Sequence, residues 1–164
     1  MNVRFIERMH SNGERVRAAL DAAGVASRIV ETIDPSPTAA AAAAQLDIEI
    51  EQVANSLVFD VDGSPVLVMA CGGRRVDERR LAALLGATSV ARADAAFVRL
   101  HTGQPIGGVA PVGHPKALRT IVDQALARWP VVWAAGGHPH YVFATTFDEL
   151  VRMTHGTAHD VGAR

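Results

Sequence analysis

The sequence predicts an α/β fold in which one mixed β-sheet is flanked by helices. Three observations carry this expectation: segments with apolar residues at helical spacing alternate with valine-rich runs, two of those runs close on a tight-turn signal, and no fixed βαβ period recurs. A chain of 164 residues suits a single domain that buries roughly two thirds of its unfolded surface, and one domain over residues 1–164 is expected. The 49% hydrophobic and 20% charged content belongs to a globular protein and excludes the depleted, highly charged profile of disordered chains.

From the N-terminus, Glu14 to Ala23 places Val16, Ala19, Leu20 and Ala23 on one helical face, and Gly24 follows as a stop signal. Ser27 to Thr32 reads as an extended run. After DPSPT, Thr38 opens an alanine-rich helix through Leu46, alanine being the best helix former. The stretch SLVFDVDGSPVLVMAC reads as a hairpin of largely buried strands turning at Asp62-Gly63. Val76 to Leu85 is expected as a helix capped by Gly86, and Arg92 to Leu100 as another. Gly103 to Pro115 carries four glycines and three prolines in thirteen positions, which marks a shaped loop. A strand at Leu118 to Val122, a short helix at Asp123 to Arg128, strands at Val131 to Ala135 and Tyr141 to Thr145, and a helix at Asp148 to His155 complete the pattern.

The polar start MNVRFIERMHSNGER lacks a secretory apolar core, and no run approaches the roughly 18 apolar residues of a spanning helix. The cytoplasm is the expected compartment, with no membrane contact. The lone Cys71 excludes an internal disulfide and reads as a packed strand-end residue or a reactive thiol. A net charge of -1 excludes a polyanion-binding surface over the whole molecule, so any RNA contact is local. Arg74, Arg75, Arg79 and Arg80 form the densest basic group. They read either as a phosphate footprint or as a solvated helix start balanced by Asp77 and Glu78.

Several chemistries are absent. There is no P-loop, no G-x-G-x-x-G fingerprint, no G-x-S-x-G elbow and no H-E-x-x-H pair. His138 and His140, with His114 or His101, are the only grouping suggestive of a metal, and turn histidines satisfying backbone groups are the alternative. Neither a metal nor a cofactor is expected. The remaining feature is the loop TGQPIGGVAPVG, where glycines let backbone N–H groups approach a ligand closely, or where the chain makes only a rigid connection.

In this order, the alanine-rich AAAAAAQL, the hairpin ANSLVFDVDGSPVLVMACG, the helix VDERRLAALLG, the loop TGQPIGGVAPVG, the join VDQAL, VVWAAGG and the closing FDELVRMT resemble the YbaK/ProX-like aminoacyl-tRNA editing family, which includes the domain inserted in some prolyl-tRNA synthetases. The resemblance runs from Glu14 to Asp160. Its most specific part is the central loop followed by Asp123 and then Ala135-Gly136-Gly137.

The resemblance implies a deacylase whose cleft holds the 3′-terminal adenosine of an aminoacyl-tRNA and the attached amino acid. The family's G-x-x-x-P motif falls on Gly107, Gly108, Val109, Ala110 and Pro111. Its backbone would hold the ester carbonyl and position a water assisted by the substrate's ribose hydroxyl. A small amino acid, alanine, serine, threonine or cysteine, on tRNA for proline is the implied substrate, and an aminoacyl-tRNA synthetase is a possible partner. Leu57, Phe59, His101, Gly136 and His138 are expected to line the pocket. One position departs from the family: Asn55-Ser56-Leu57 stands where a K-[ST]-L pattern is usual, and the only lysine is Lys116. Asn55 then either reads the substrate or marks a non-catalytic module that binds tRNA or a synthetase. Gly108→Ala is expected to reduce turnover more than stability.

Overall fold

The computed structural model describes all 164 residues. Its strands are β1 (Val3–Arg4), β2 (Val30–Thr32), β3 (Val53–Val61), β4 (Ser64–Cys71), β5 (Val90–Arg92), β6 (Arg119–Asp123), β7 (Val132–Ala135), β8 (Tyr141–Thr145) and β9 (Thr157–His159). The helices are α1 (Ser11–Ala22), α2 (Ala39–Leu46), α3 (Glu78–Leu85), α4 (Ala95–Thr102) and α5 (Phe147–Thr154). One mixed sheet runs in the order β1-β2-β8-β7-β3-β4-β6-β9, with β5 added beside β3. β7 and β6 run parallel to β3 and β4 respectively, β9 runs parallel to β6, and the other pairings are antiparallel.

The hairpin β3–β4 is the centre of the fold, and its near-continuous apolar run has a reason: both faces are buried. Val58, Leu67 and Met69 turn toward the larger core, which takes in Val16 and Leu20 of α1, Phe143 of β8 and Leu150 of α5. Phe59, Val61, Val66, Val68 and Ala70 turn the other way and pack with Leu81 of α3, Ile121 and Val161. Asp62, at φ 50°, and Gly63, at φ 88°, supply the two positive φ angles of a two-residue turn.

Helix starts follow capping chemistry. Thr38, Asp77, Asp94 and Thr146 each accept a hydrogen bond from a first-turn N–H. α1 begins earlier than the sequence suggests, because the His10 imidazole accepts from the Asn12 N–H, a cap outside the usual set. The expected helix from Arg92 to Leu100 is divided: Val90–Arg92 pairs with β3, and Asp94 then starts a helix running to Thr102. β1 and β9, of two and three residues, are too short to leave a periodic signal and exist by pairing with β2 and β6. No helix is long and apolar enough to cross a membrane.

Candidate functional site

The sheet contains a break. On the side away from β4, β3 pairs with β7 only through Val53 and Ala54, and with β5 only from Phe59 to Val61. Strand parity shows what faces the gap. The Gly72 N–H bonds to the Val53 carbonyl, while the Ala93 N–H bonds to the Val58 carbonyl from the other side. Odd-numbered residues of β3 therefore turn their backbone groups to β4 and even-numbered ones away from it. The Ser56 amide and carbonyl face the break, and no loop or turn bonds to them.

A two-lobed cleft opens there. The smaller lobe, about 420 Å³ of open space, has Ala39, Ala42 and Leu46 of α2, Ala54, Trp133 and Ala134 among its walls. The larger, about 730 Å³, extends past Leu57 and Val58 to Arg92, Val98 and Ile106. Pro37, Thr38, Ala39, Asn55, Ser56, Gly107 and Val109 border both lobes.

The glycine-rich loop is pinned from three directions. Gly107 sits at φ +87° against Pro37, whose Cβ would lie 2.9 Å from any added Cβ. Gly108 lies on the backbone of the His138-Pro139 turn, where an added Cβ would meet the His138 carbonyl carbon at 2.7 Å. That contact is with the turn and not the cleft, so the sequence-based expectation for Gly108→Ala gives way to a loss of stability as well as turnover. From beneath, the buried Gln104 accepts the Ala110 N–H at 2.7 Å through Oε1 and donates to the Val112 and Gly113 carbonyls at 3.4 Å through Nε2. The His114 ring bonds to the Ala110 carbonyl at 2.7 Å, and burial pushes its pKa below the ordinary 6.5 against the raising effect of that bond.

These contacts sort the loop's amides. The Gly108 N–H bonds to the Pro105 carbonyl at 2.9 Å, the Ala110 N–H is held by Gln104, and Pro111 has no N–H. The amides of Gly107 and Val109 have no intramolecular acceptor, and both residues border the cleft. Gly107, Gly108, Val109, Ala110 and Pro111 thus divide into two residues with available donors and three that hold the loop.

Of the other expected site residues, Asn55 borders both lobes, and its side-chain amide makes no bond to the protein. Leu57 lines the larger lobe. Phe59 does not line the cleft: it is 1% exposed in the second core, because its parity on β3 places it against Val66 and Leu81. His101 packs on Phe97 of its own helix at 4.5 Å between ring centroids, outside both lobes. Gly136 sits under Tyr141 and Ile29. His138 lies beside His10, His140 and Tyr141, and burial first, then the charges of His10 and His140, lower its pKa. Its Nδ1 accepts the His140 N–H, while His140 Nδ1 bonds to the Thr32 carbonyl. Both imidazoles serve turn structure. They join this turn to the Thr32–Ser36 segment that leads into the cleft wall, where Ser36 also bonds to Thr32 and to the Pro139 carbonyl.

The four arginines also divide. Arg80 is committed to Asp160 at 2.9 Å and Arg74 reaches the same carboxylate at 3.7 Å, while Arg75 and Arg79 are exposed and unpaired. Asp123 is structural: 1% exposed, it accepts the Cys71 and Ala125 N–H groups. Cys71 is buried and close to the Glu51 carbonyl, and burial pushes its thiol up. Sequence reasoning missed Gln104, Ser56, Trp133 and Arg92. A glutamine inside a loop of glycines and prolines was the one readable hint among them.

Fold and site together define an α/β domain with a cleft whose polar groups are backbone amides, neutral side chains and a single arginine, Arg92, without a catalytic triad. The profile of the aminoacyl-tRNA editing domain matches residues 34–153, and the chain belongs to that family. It is 36% identical over 81 residues to a proline--tRNA ligase of Lysinibacillus sphaericus, an alignment covering 49% of this chain and 14% of the ligase. A second proline--tRNA ligase, from Desulfotalea psychrophila, is 32% identical over 96 residues, 58% of this chain and 16% of the ligase. The chain thus spans about one sixth or less of the ligases' length. Among solved structures, one described as a candidate trans-editing enzyme for prolyl tRNA synthetase superposes with a TM-score of 0.89 at 34% identity, covering 96% of this chain and 100% of that one.

Proposed function

We propose that this chain hydrolyses the ester of a misacylated tRNA carrying a small amino acid, with tRNA for proline as the substrate, and that it acts in trans in the cytoplasm. The observation that supports this most is the pair of unspent amides, Gly107 and Val109, beside Asn55 and Ser56 at the break in the sheet. Amides aimed at a developing oxyanion typically contribute roughly 3 to 4 kcal/mol each in a preorganised site. In the proposed reaction a water oxygen attacks the ester carbonyl, and the charge that develops rests on these amides. The carbon–oxygen bond to the ribose then breaks, and the water proton passes to the ribose oxygen, with the neighbouring ribose hydroxyl assisting. A side-chain nucleophile is not required: no histidine, aspartate or glutamate lines either lobe.

The alanine-rich walls of the smaller lobe suit a short side chain. The free arginines Arg75 and Arg79, and Arg74 just beyond β4, are offered as contacts to the acceptor stem, since β4 ends at Cys71 opposite Ala54 of the cleft. Asn55 in place of a cation favours a second reading, a module that binds charged tRNA or a synthetase without turnover. Incubating the purified chain with tRNA for proline charged with alanine, serine, threonine or cysteine separates the two. Release of one amino acid supports the hydrolase, whereas binding with every ester left intact establishes the module.

A further inference from the structure

We infer that Arg92 is a nucleotide-phosphate anchor of the cleft, supplying from β5 the positive charge that Asn55 does not; the inference rests on the aminoacyl-tRNA reading of the same site. Arg92 is the only charged residue lining either lobe. Its register partner is Phe59, so the two side chains project from the same face of the sheet, the face that also carries Asn55 and Leu57. The guanidinium lies 5.8 Å from the Phe59 ring centroid, a contact that orients it while leaving its N–H donors free. No carboxylate pairs with it. The nearest acid in sequence, Asp94, is engaged as the cap of α4, accepting the Phe97 N–H.

The chemistry of the substrate decides what this charge meets. An aminoacyl ester has lost its carboxylate and carries a cationic amino group, so its only negative charges are phosphates. A cation belongs away from the amino acid, and Arg92 borders only the larger lobe, not the alanine-walled one. The exposed Ile106 on the same lobe offers an apolar surface to a base. The larger lobe therefore takes the terminal nucleotides, with a phosphate on the planar fork of Arg92.

The test is equilibrium binding of an uncharged RNA hairpin ending in single-stranded CCA, measured across a salt series for wild type, Arg92→Gln, Arg92→Glu and Arg92→Lys. We expect Arg92→Gln to weaken binding roughly tenfold, about 1.4 kcal/mol, and Arg92→Glu to weaken it further. Arg92→Lys should stay within about threefold of wild type, keeping the charge but losing the fork. The slope of log affinity against log salt should fall by about 0.7 in the Gln variant, the share of one phosphate on a single strand. Wild-type affinity and slope in the Gln and Glu variants would overturn the inference, as would failure of the wild type to bind the hairpin. The deacylation series reads the other question independently. If no ester is cleaved but hairpin binding depends on Arg92, the hydrolase reading fails and the anchor stands; cleavage with Arg92-independent binding gives the reverse. Thermal melts of each variant separate lost folding from lost contact, and adenosine, which has no phosphate, should bind all four proteins alike.

Discussion

Gln104 is the residue through which the geometry of the loop can be tested most directly. Replacing it with methionine keeps the length and fills the same buried space, but removes both the acceptor for the Ala110 N–H and the donor to the Val112 and Gly113 carbonyls. The dominant loss is the 2.7 Å bond, which leaves a buried amide without a partner at a cost of about 1–3 kcal/mol. The two 3.4 Å bonds sit at the edge of useful geometry and add together no more than about 1 kcal/mol. A total near 2 kcal/mol converts to a fall in melting temperature of about 4–8 °C for a chain of this size. The effect on turnover should be larger than stability alone requires. Ala110 directly follows Val109, one of the two residues with a free amide, and a displacement of about 1 Å at a reacting group can reduce rate about 100-fold. Circular dichroism melts and single-turnover deacylation at 25 °C, where the variant remains folded, measure both. A melting temperature within 1 °C of wild type, or undiminished turnover in a folded variant, would refute the assignment of Gln104 as the support of the loop.

Three further outcomes follow from the same geometry. Gly108→Ala should lower stability by about 1–3 kcal/mol because the new Cβ meets the His138-Pro139 backbone; denaturant unfolding at two temperatures measures this, and an unaltered midpoint would contradict it. Phe59→Ala should cost about 3–5 kcal/mol, as for a buried aromatic, and should unfold the chain at lower denaturant without altering which amino acid is released. Stability should also fall on acidification through the imidazole range: His114 is lowered in the folded state by burial, so the unfolded chain binds the proton more readily. The stabilising contribution is then complete above about pH 6.5 and is lost as pH falls below it. His114→Gln should flatten that part of the curve.

The fold was legible where the physics is local. Hydrophobic period, the turn at Asp62-Gly63, the start at Thr38 and the cap at Gly86 marked the hairpin and two helices within three residues. It was not legible where an element exists only because a partner pairs with it, as for β1 and β9, or where a pairing overrides a helical pattern, as at Val90–Arg92. The site divides in the same way. The loop announced itself by composition, and Asn55 by its departure from a familiar pattern. Which amides remain available depends on long-range closure: Gln104 reaching Ala110, Pro37 against Gly107, and the His138-Pro139 turn under Gly108.

The misplacement of Phe59 shows what decides such cases. Leu57 and Phe59 are two residues apart on the same face of one strand, and sequence treats them alike. Leu57 falls within the four residues of β3, Asn55 to Val58, that have no strand partner on their second side, whereas Phe59 falls where β5 has closed the sheet and α3 has covered it. Exposure to the cleft is therefore a property of the break in strand pairing more than of residue type. The same break leaves the Ser56 amide and carbonyl available beside the loop. Ser56→Ala keeps both backbone groups and should leave turnover within about threefold, since the side chain contributes one 3.3 Å bond to the Met69 sulfur of the weak kind. Ser56→Pro removes the amide and should abolish turnover. The contrast tests whether the strand edge takes part in the site through its backbone: a strong loss in the alanine variant would assign that role to the hydroxyl instead.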